Sequence, residues 1–142
     1  MTLAAGPNIV LTPSGNTLTV GGADSPLIYT AKNKFPDFGG TDTSFGADVI
    51  SKAVPAGSYL IFYKGQLQNG SGTLTEGYTC TLSTGDSGTI ILQPQGDLDH
   101  GIIILQDVAT FPVPATITVH CAGNAGHVNI SVLTAIRVAD VF

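Results

Sequence analysis

No segment of this chain carries the i, i+3, i+4 apolar spacing of an amphipathic helix; about ten short stretches alternate apolar with polar residues instead, parted by Gly, Pro, Asn and Ser turns. That pattern restricts the chain to an all-β fold, a sandwich or a barrel. The strands are of two kinds. Some have one apolar face: Tyr78, Cys80 and Leu82 alternate with Thr79, Thr81 and Ser83, and Ile117, Val119 and Cys121 alternate with Thr116, Thr118 and His120. Others are apolar on both sides. In 57–67, Tyr59, Ile61 and Tyr63 oppose Leu60 and Phe62, and Ile102 to Leu105 runs unbroken. In 127–138, Val128, Ile130, Val132, Ile136 and Val138 share one face, with Leu133 and Ala135 on the other beside Asn129, Ser131 and Arg137. Thr89 to Gln93, with Ile90, Ile91 and Leu92, is intermediate.

At 142 residues the chain is long enough for one domain with its own core. Only 11% of residues are charged, against roughly 25% in an average soluble protein. Surface polarity therefore rests on Thr, Ser, Asn and Gln, which suits an extracellular or particle-bound protein partly covered by partners. Five basic residues against ten acidic ones give a net charge of -5, with no Lys/Arg cluster. Nucleic acid is not an expected partner. No apolar run approaches the roughly 20 residues that span a bilayer, so membrane insertion is not expected. The start, MTLAAGPNIVLTP, lacks a basic n-region and has too short an apolar core for a secretory signal. With no signal peptide visible, the expected location is a virion, released with the particle, or the extracellular space by another route.

Residues 8–12 and 16–20, joined through Pro13, Ser14 and Gly15, predict a small hairpin, so 1–26 is expected to be a lead-in and 27–142 the main domain. The stretch 34–48, KFPDFGGTDTSFGAD, predicts a long loop of the sort that carries function. Its Phe35, Phe38 and Phe45 could stack on a sugar or plug a neighbouring subunit, although pinning the loop to its own core is the plainer reading. Phe38 and Asp42 stand as ligand-binding candidates here. GDLDHG at 96–101 adds Asp97, Asp99 and His100, where carboxylates two residues apart could share a calcium or help fix a sugar. A solvated turn is the plainer reading there. Residues 107–114, with Pro112 and Pro114, are expected to be a connection.

The segments VPAGSYLIF (54–62), CTLSTG (80–85) and VNISVLTAIRV (128–138) resemble the small jelly-roll heads of the tumour necrosis factor and complement globular-head type, as found in phage tail-fibre heads and bacterial collagen-like proteins. The Pro-Ala-Gly-Ser-Tyr lead into a long strand and the closing Leu-Thr-Ala-Ile-Arg-Val carry the likeness, which covers about Leu27 to Val138. The resemblance implies a two-sheet jelly-roll sandwich, with strands 57–67, 101–106 and 127–138 in one sheet and 77–83, 87–93 and 115–121 in the other. The three double-faced strands then belong to one sheet. In that family one face of this sheet meets neighbours around a threefold axis, which implies a homotrimer with Leu60, Phe62, Leu133 and Ala135 toward the partner subunits.

The same arrangement sets strand 77–83 beside 115–121 with Cys80 and Cys121 both inward, at a separation a disulfide can bridge. A pair of buried free thiols is the alternative. Without C-x₂-C spacing, a zinc site on these cysteines is not expected, and neither a metal nor a cofactor is predicted. The resemblance also separates His120 and His127, which a simple hairpin would set face to face, into opposite sheets.

The sequence has no G-x-S-x-G, no H-E-x-x-H and no phosphate-cradling turn before a helix, so no enzymatic activity is expected. The leading expectation is a trimeric virion protein, a phage fibre head or small receptor-binding protein, attaching to a cell-surface glycan or protein. A bacterial lectin of the same fold and a capsid-decorating structural trimer are the alternatives.

Overall fold

A computed structural model describes residues 9–22, 28–34, 41–43, 46–94 and 99–138. All regular structure among them is β. The strands are β1 (Ile9–Ser14), β2 (Thr17–Gly22), β3 (Ile28–Lys34), β4 (Thr41–Asp42), β5 (Ala47–Val54), β6 (Gly57–Asn69), β7 (Glu76–Leu82), β8 (Ser87–Leu92), β9 (His100–Phe111), β10 (Ala115–Ala122) and β11 (Gly126–Val138).

Two antiparallel sheets form the body. One has the order β5-β10-β7-β8; the other has the order β3-β11-β6-β9, with β4 added against β11. The chain changes sheet between β4 and β5, β5 and β6, β6 and β7, β8 and β9, β9 and β10, and β10 and β11. This alternation is that of a jelly roll, and it distributes the strands between the sheets as the resemblance implied. His120 and His127 accordingly lie in different sheets. The hairpin β1–β2 is a separate two-stranded sheet whose turn falls on Gly15 and Asn16, slightly later than expected, with Gly15 in the left-handed region at φ 57°.

The core lies between the sheets. Tyr59, Ile61, Tyr63 and Leu67 of β6 and Ile103 and Leu105 of β9 face Tyr78, Cys80 and Leu82 of β7 and Ile117, Val119 and Cys121 of β10, all buried. The Tyr63 ring lies over Gly65, two residues along the same inward face, and a Cβ on Gly65 would overlap the Tyr63 hydroxyl. Cys80 and Cys121 are directly paired between β7 and β10 and joined by a disulfide, S–S 2.05 Å.

Three expectations need correction. The first concerns β11, where the register slips between Val128, opposite Leu67, and Ile130, opposite Gln66. Asn129 is the extra residue of a β-bulge, and one extra residue reverses the phase of every side chain beyond it. Val128 is therefore inward, whereas Ile130, Val132 and Ile136 fall in the outward phase. Leu133 and Ala135, expected at a subunit interface, are 0% exposed and belong to the core of their own chain. Secondly, 107–111 is not a connection but the end of β9, because Ala109 and Phe111 continue the inward phase and pack against the core. Finally, the loop 34–48 contains β4, which pairs Asp42 with His127 and Thr41 with Val128.

Candidate functional site

The outward face of the five-stranded sheet carries most of the exposed large apolar side chains among the described residues. Strand register lays it out in rows across β3, β11, β6 and β9. Ile28, Ile136, Leu60 and Val108 form one row; Thr30, Thr134, Phe62 and Gln106 the next; and Lys32, Val132, Lys64 and Ile104 a third. Phe62 is 41% exposed, Ile104 68% and Val108 65%, and Leu60, Ile28, Ile102 and Ile130 are also exposed. These rows hold two ammonium groups and no carboxylate. The outer face of the other sheet is built differently, from Thr116, Thr118 and His120 on β10, Thr79 and Thr81 on β7, and Ser87 and Thr89 on β8. Thr79 Oγ1 lies 2.8 Å from Thr89 Oγ1 across one of its pairs. Ile91, 70% exposed, is the large apolar exception on this face, which otherwise meets water mainly with hydroxyls, whereas the face of the five-stranded sheet does so mainly with aliphatic side chains.

Among the described residues, the loop candidates do not gather into one site. Phe38 and Asp97 lie outside the described residues, as does the side chain of Asp42, whose backbone pairs with β11. Asp42, His127, Gln68 and His100 occupy one row, so Asp42 and His100 stand three strand spacings apart, about 14 Å. Asp99 is buried rather than solvated. Its Oδ1 lies 2.5 Å from His100 Nδ1, and its Oδ2 accepts from Gln68 Nε2 at 3.3 Å. Gln68 Oε1 in turn accepts from Asn129 Nδ2 at 3.0 Å, which ties the β11 bulge to the start of β9. Asp99 is thus occupied in holding strands together. Among the described residues, no group of three His, Cys, Asp or Glu side chains is placed to hold a metal ion.

Asn69 opens the Asn-Gly-Ser-Gly run at 69–72, leading from β6 to β7, and is not among the candidates named from the sequence. Asn69 is fully buried. Its Nδ2 donates to the carbonyls of Leu74 at 2.9 Å and Gln93 at 2.8 Å, and its Oδ1 accepts from the Tyr78 hydroxyl at 2.9 Å and from Ser71 N at 2.8 Å. The Tyr78 ring covers Gly123 and Gly126, where any Cβ would overlap it. The Asn-Gly-Ser-Gly run was the available signal, since an Asn before a turn commonly bonds backbone two residues on.

No helix among the described residues is long and apolar enough to cross a membrane. No protein-family model matches the sequence, and no curated protein matches it. Solved structures do. The protein of the Infectious Bursal Virus derived T=1 particles is 12% identical with a TM-score of 0.49, over 90% of this chain and 36% of that one. PRD1 vertex protein P5 is 12% identical with a TM-score of 0.41, over 97% of this chain and 86% of that one. A carbohydrate binding module from Cellvibrio mixtus lichenase 5A, in complex with cellotriose, is 18% identical with a TM-score of 0.35, over 78% of this chain and 88% of that one. This chain thus spans about a third of the first of these proteins.

Proposed function

We propose that the chain is a non-catalytic virion protein that assembles as a homotrimer through the outward face of β3, β11, β6 and β9 and attaches the particle to a cell-surface glycan or protein. The observation carrying this reading is the contrast between the two outer faces. A sheet face displaying Leu60, Phe62, Ile102, Ile104, Val108 and Ile130, interrupted by Lys32, Lys64, Thr30, Thr134 and Gln106, exposes more large apolar side chains than a monomer ordinarily leaves in water. A second copy is its natural cover, and a threefold arrangement is what the resemblance to tumour necrosis factor and complement heads implies. The bulge at Asn129 fits the same reading, because it turns Ile130, Val132 and Ile136 outward to join that face.

Attachment is tested by presenting the full chain to a glycan array and to intact cell envelopes. Saturable binding to at least one glycan or envelope is the expected result. Retention on none of them would leave a purely structural role in the particle.

A further inference from the structure

One flank of the sandwich is open where β3, an edge of the five-stranded sheet, passes β5, an edge of the four-stranded sheet. A single described side-chain hydrogen bond crosses this gap, from Asn33 Nδ2 to Val49 O at 3.1 Å. Two hollows meet there, of about 420 Å³ and about 260 Å³. Lys32 and Ser51 line the first, Ser83 and His120 the second, and Asp48 and Thr118 form the wall common to both.

Three local features converge on that wall. The β5–β10 register slips between Val119, opposite Ile50, and His120, opposite Asp48, so Val49 is the extra residue of a bulge. Val49 and Ile50 are consecutive yet both buried, and Asp48 is turned outward against His120. Bulges re-aim side chains in this way beside functional sites. Next, Asp48 Oδ1 lies 2.9 Å from His120 Nδ1, while both side chains stay mostly open to solvent. Third, Gly46 has φ 90°, in the left-handed region, and a Cβ there would stand 2.7 Å from His120 Nε2. The imidazole is thus seated between a carboxylate and a position that must lack a side chain. A contact so exposed adds little to stability, so folding alone does not account for the bulge and the positive-φ glycine together.

We propose that this groove is a binding subsite for an uncharged hexose of a cell-surface glycan, with the Asp48 carboxylate taking the sugar hydroxyls and His120 holding that carboxylate in place. The proposal rests on the attachment reading above and names its site. Asp48 and Lys32 offset one another in charge, which favours a neutral ligand over a sialylated or uronate one. Asp48 Oδ2 accepts from no described residue, and Ser83, whose Oγ accepts from Thr118 N at 3.0 Å, keeps its own proton to donate. Carboxylate, ammonium and hydroxyl groups together match a polyol rather than an apolar peptide.

The test uses the intact chain on an array displaying neutral hexose oligosaccharides beside sialylated and uronate ones. Wild type, Asp48→Asn and His120→Ala are compared, and melting and sedimentation show that each variant keeps its fold and assembly. Binding of a neutral hexose glycan, weakened about tenfold or more in each folded variant, supports the subsite. Should wild type bind such a glycan and both variants bind it equally well, attachment stands and this groove is not its site. Binding to acidic glycans alone overturns the proposed ligand class, and binding to none removes the attachment reading and the subsite with it.

Discussion

Leu60 and Val108 stand directly opposite one another across the β6–β9 pair, both outward from the core. Ile136 and Ile28 extend the row to the far edge of the sheet. If subunits meet here, charge placed in this row disrupts assembly without touching the interior. Leu60→Lys combined with Val108→Lys is expected to sediment as a monomer while keeping the far-ultraviolet circular dichroism of the wild type. An unchanged mass would place the subunit contact elsewhere.

The Asn69 side chain bonds the carbonyls of Leu74, Leu92 and Gln93, the Tyr78 hydroxyl and Ser71 N, and replacing it leaves several of these groups buried without partners. Asn69→Leu, close in size but unable to hydrogen bond, is expected to destabilise the fold by about 2–4 kcal/mol, since each unpaired buried polar group costs about 1–3 kcal/mol. Tyr78→Phe should cost less, about 1 kcal/mol, because the Asn69 amide retains its other bonds. Urea unfolding of the two variants checks both the size and the order of the effects.

The Cys80–Cys121 bond closes a separation of 41 residues. In the chain-entropy account, a loop of that length corresponds to about 4 kcal/mol. Thiol titration in denaturant without reductant is therefore expected to find no free thiol. The double variant Cys80→Ala, Cys121→Ala should unfold at markedly lower urea. Two titratable thiols in freshly isolated protein would contradict the bridge.

Burial raises the hydroxyl pKa of Tyr63, Tyr59 and Tyr78 above the ordinary 10.0, because the phenolate loses its hydration inside the sandwich. These groups keep their protons in the fold to a higher pH than in the unfolded chain. Their contribution to stability is thus complete below about pH 10 and is lost as pH rises beyond it. Titration of tyrosinate absorbance should show these side chains ionising near pH 10 in urea, but only at higher pH or on unfolding in native buffer. Identical midpoints in the two conditions would mean that the tyrosines are not sealed in the core.

How much of this was legible in the sequence depended on whether pairs of neighbouring residues were enough to fix a position. Alternation alone identified the two faces of β6, with Tyr59, Ile61 and Tyr63 inward and Leu60 and Phe62 outward, and placed most strands to within a residue or two. It failed at Asn129, because a bulge is a property of two paired strands, and Leu133 then seemed to point outward. The same limitation concealed Asp48 and His120, which are 72 residues apart and meet through a slip in β5. Asn69 was missed for a different reason: its partners Leu74, Tyr78 and Gln93 come from three segments that only the closed fold brings together.

The central claim, that the apolar outer face of the five-stranded sheet is a subunit interface, is tested most directly by sedimentation equilibrium of the intact chain at micromolar concentration. Three times the 14.5 kDa chain mass is the predicted result. A single species at the mass of one chain would contradict it.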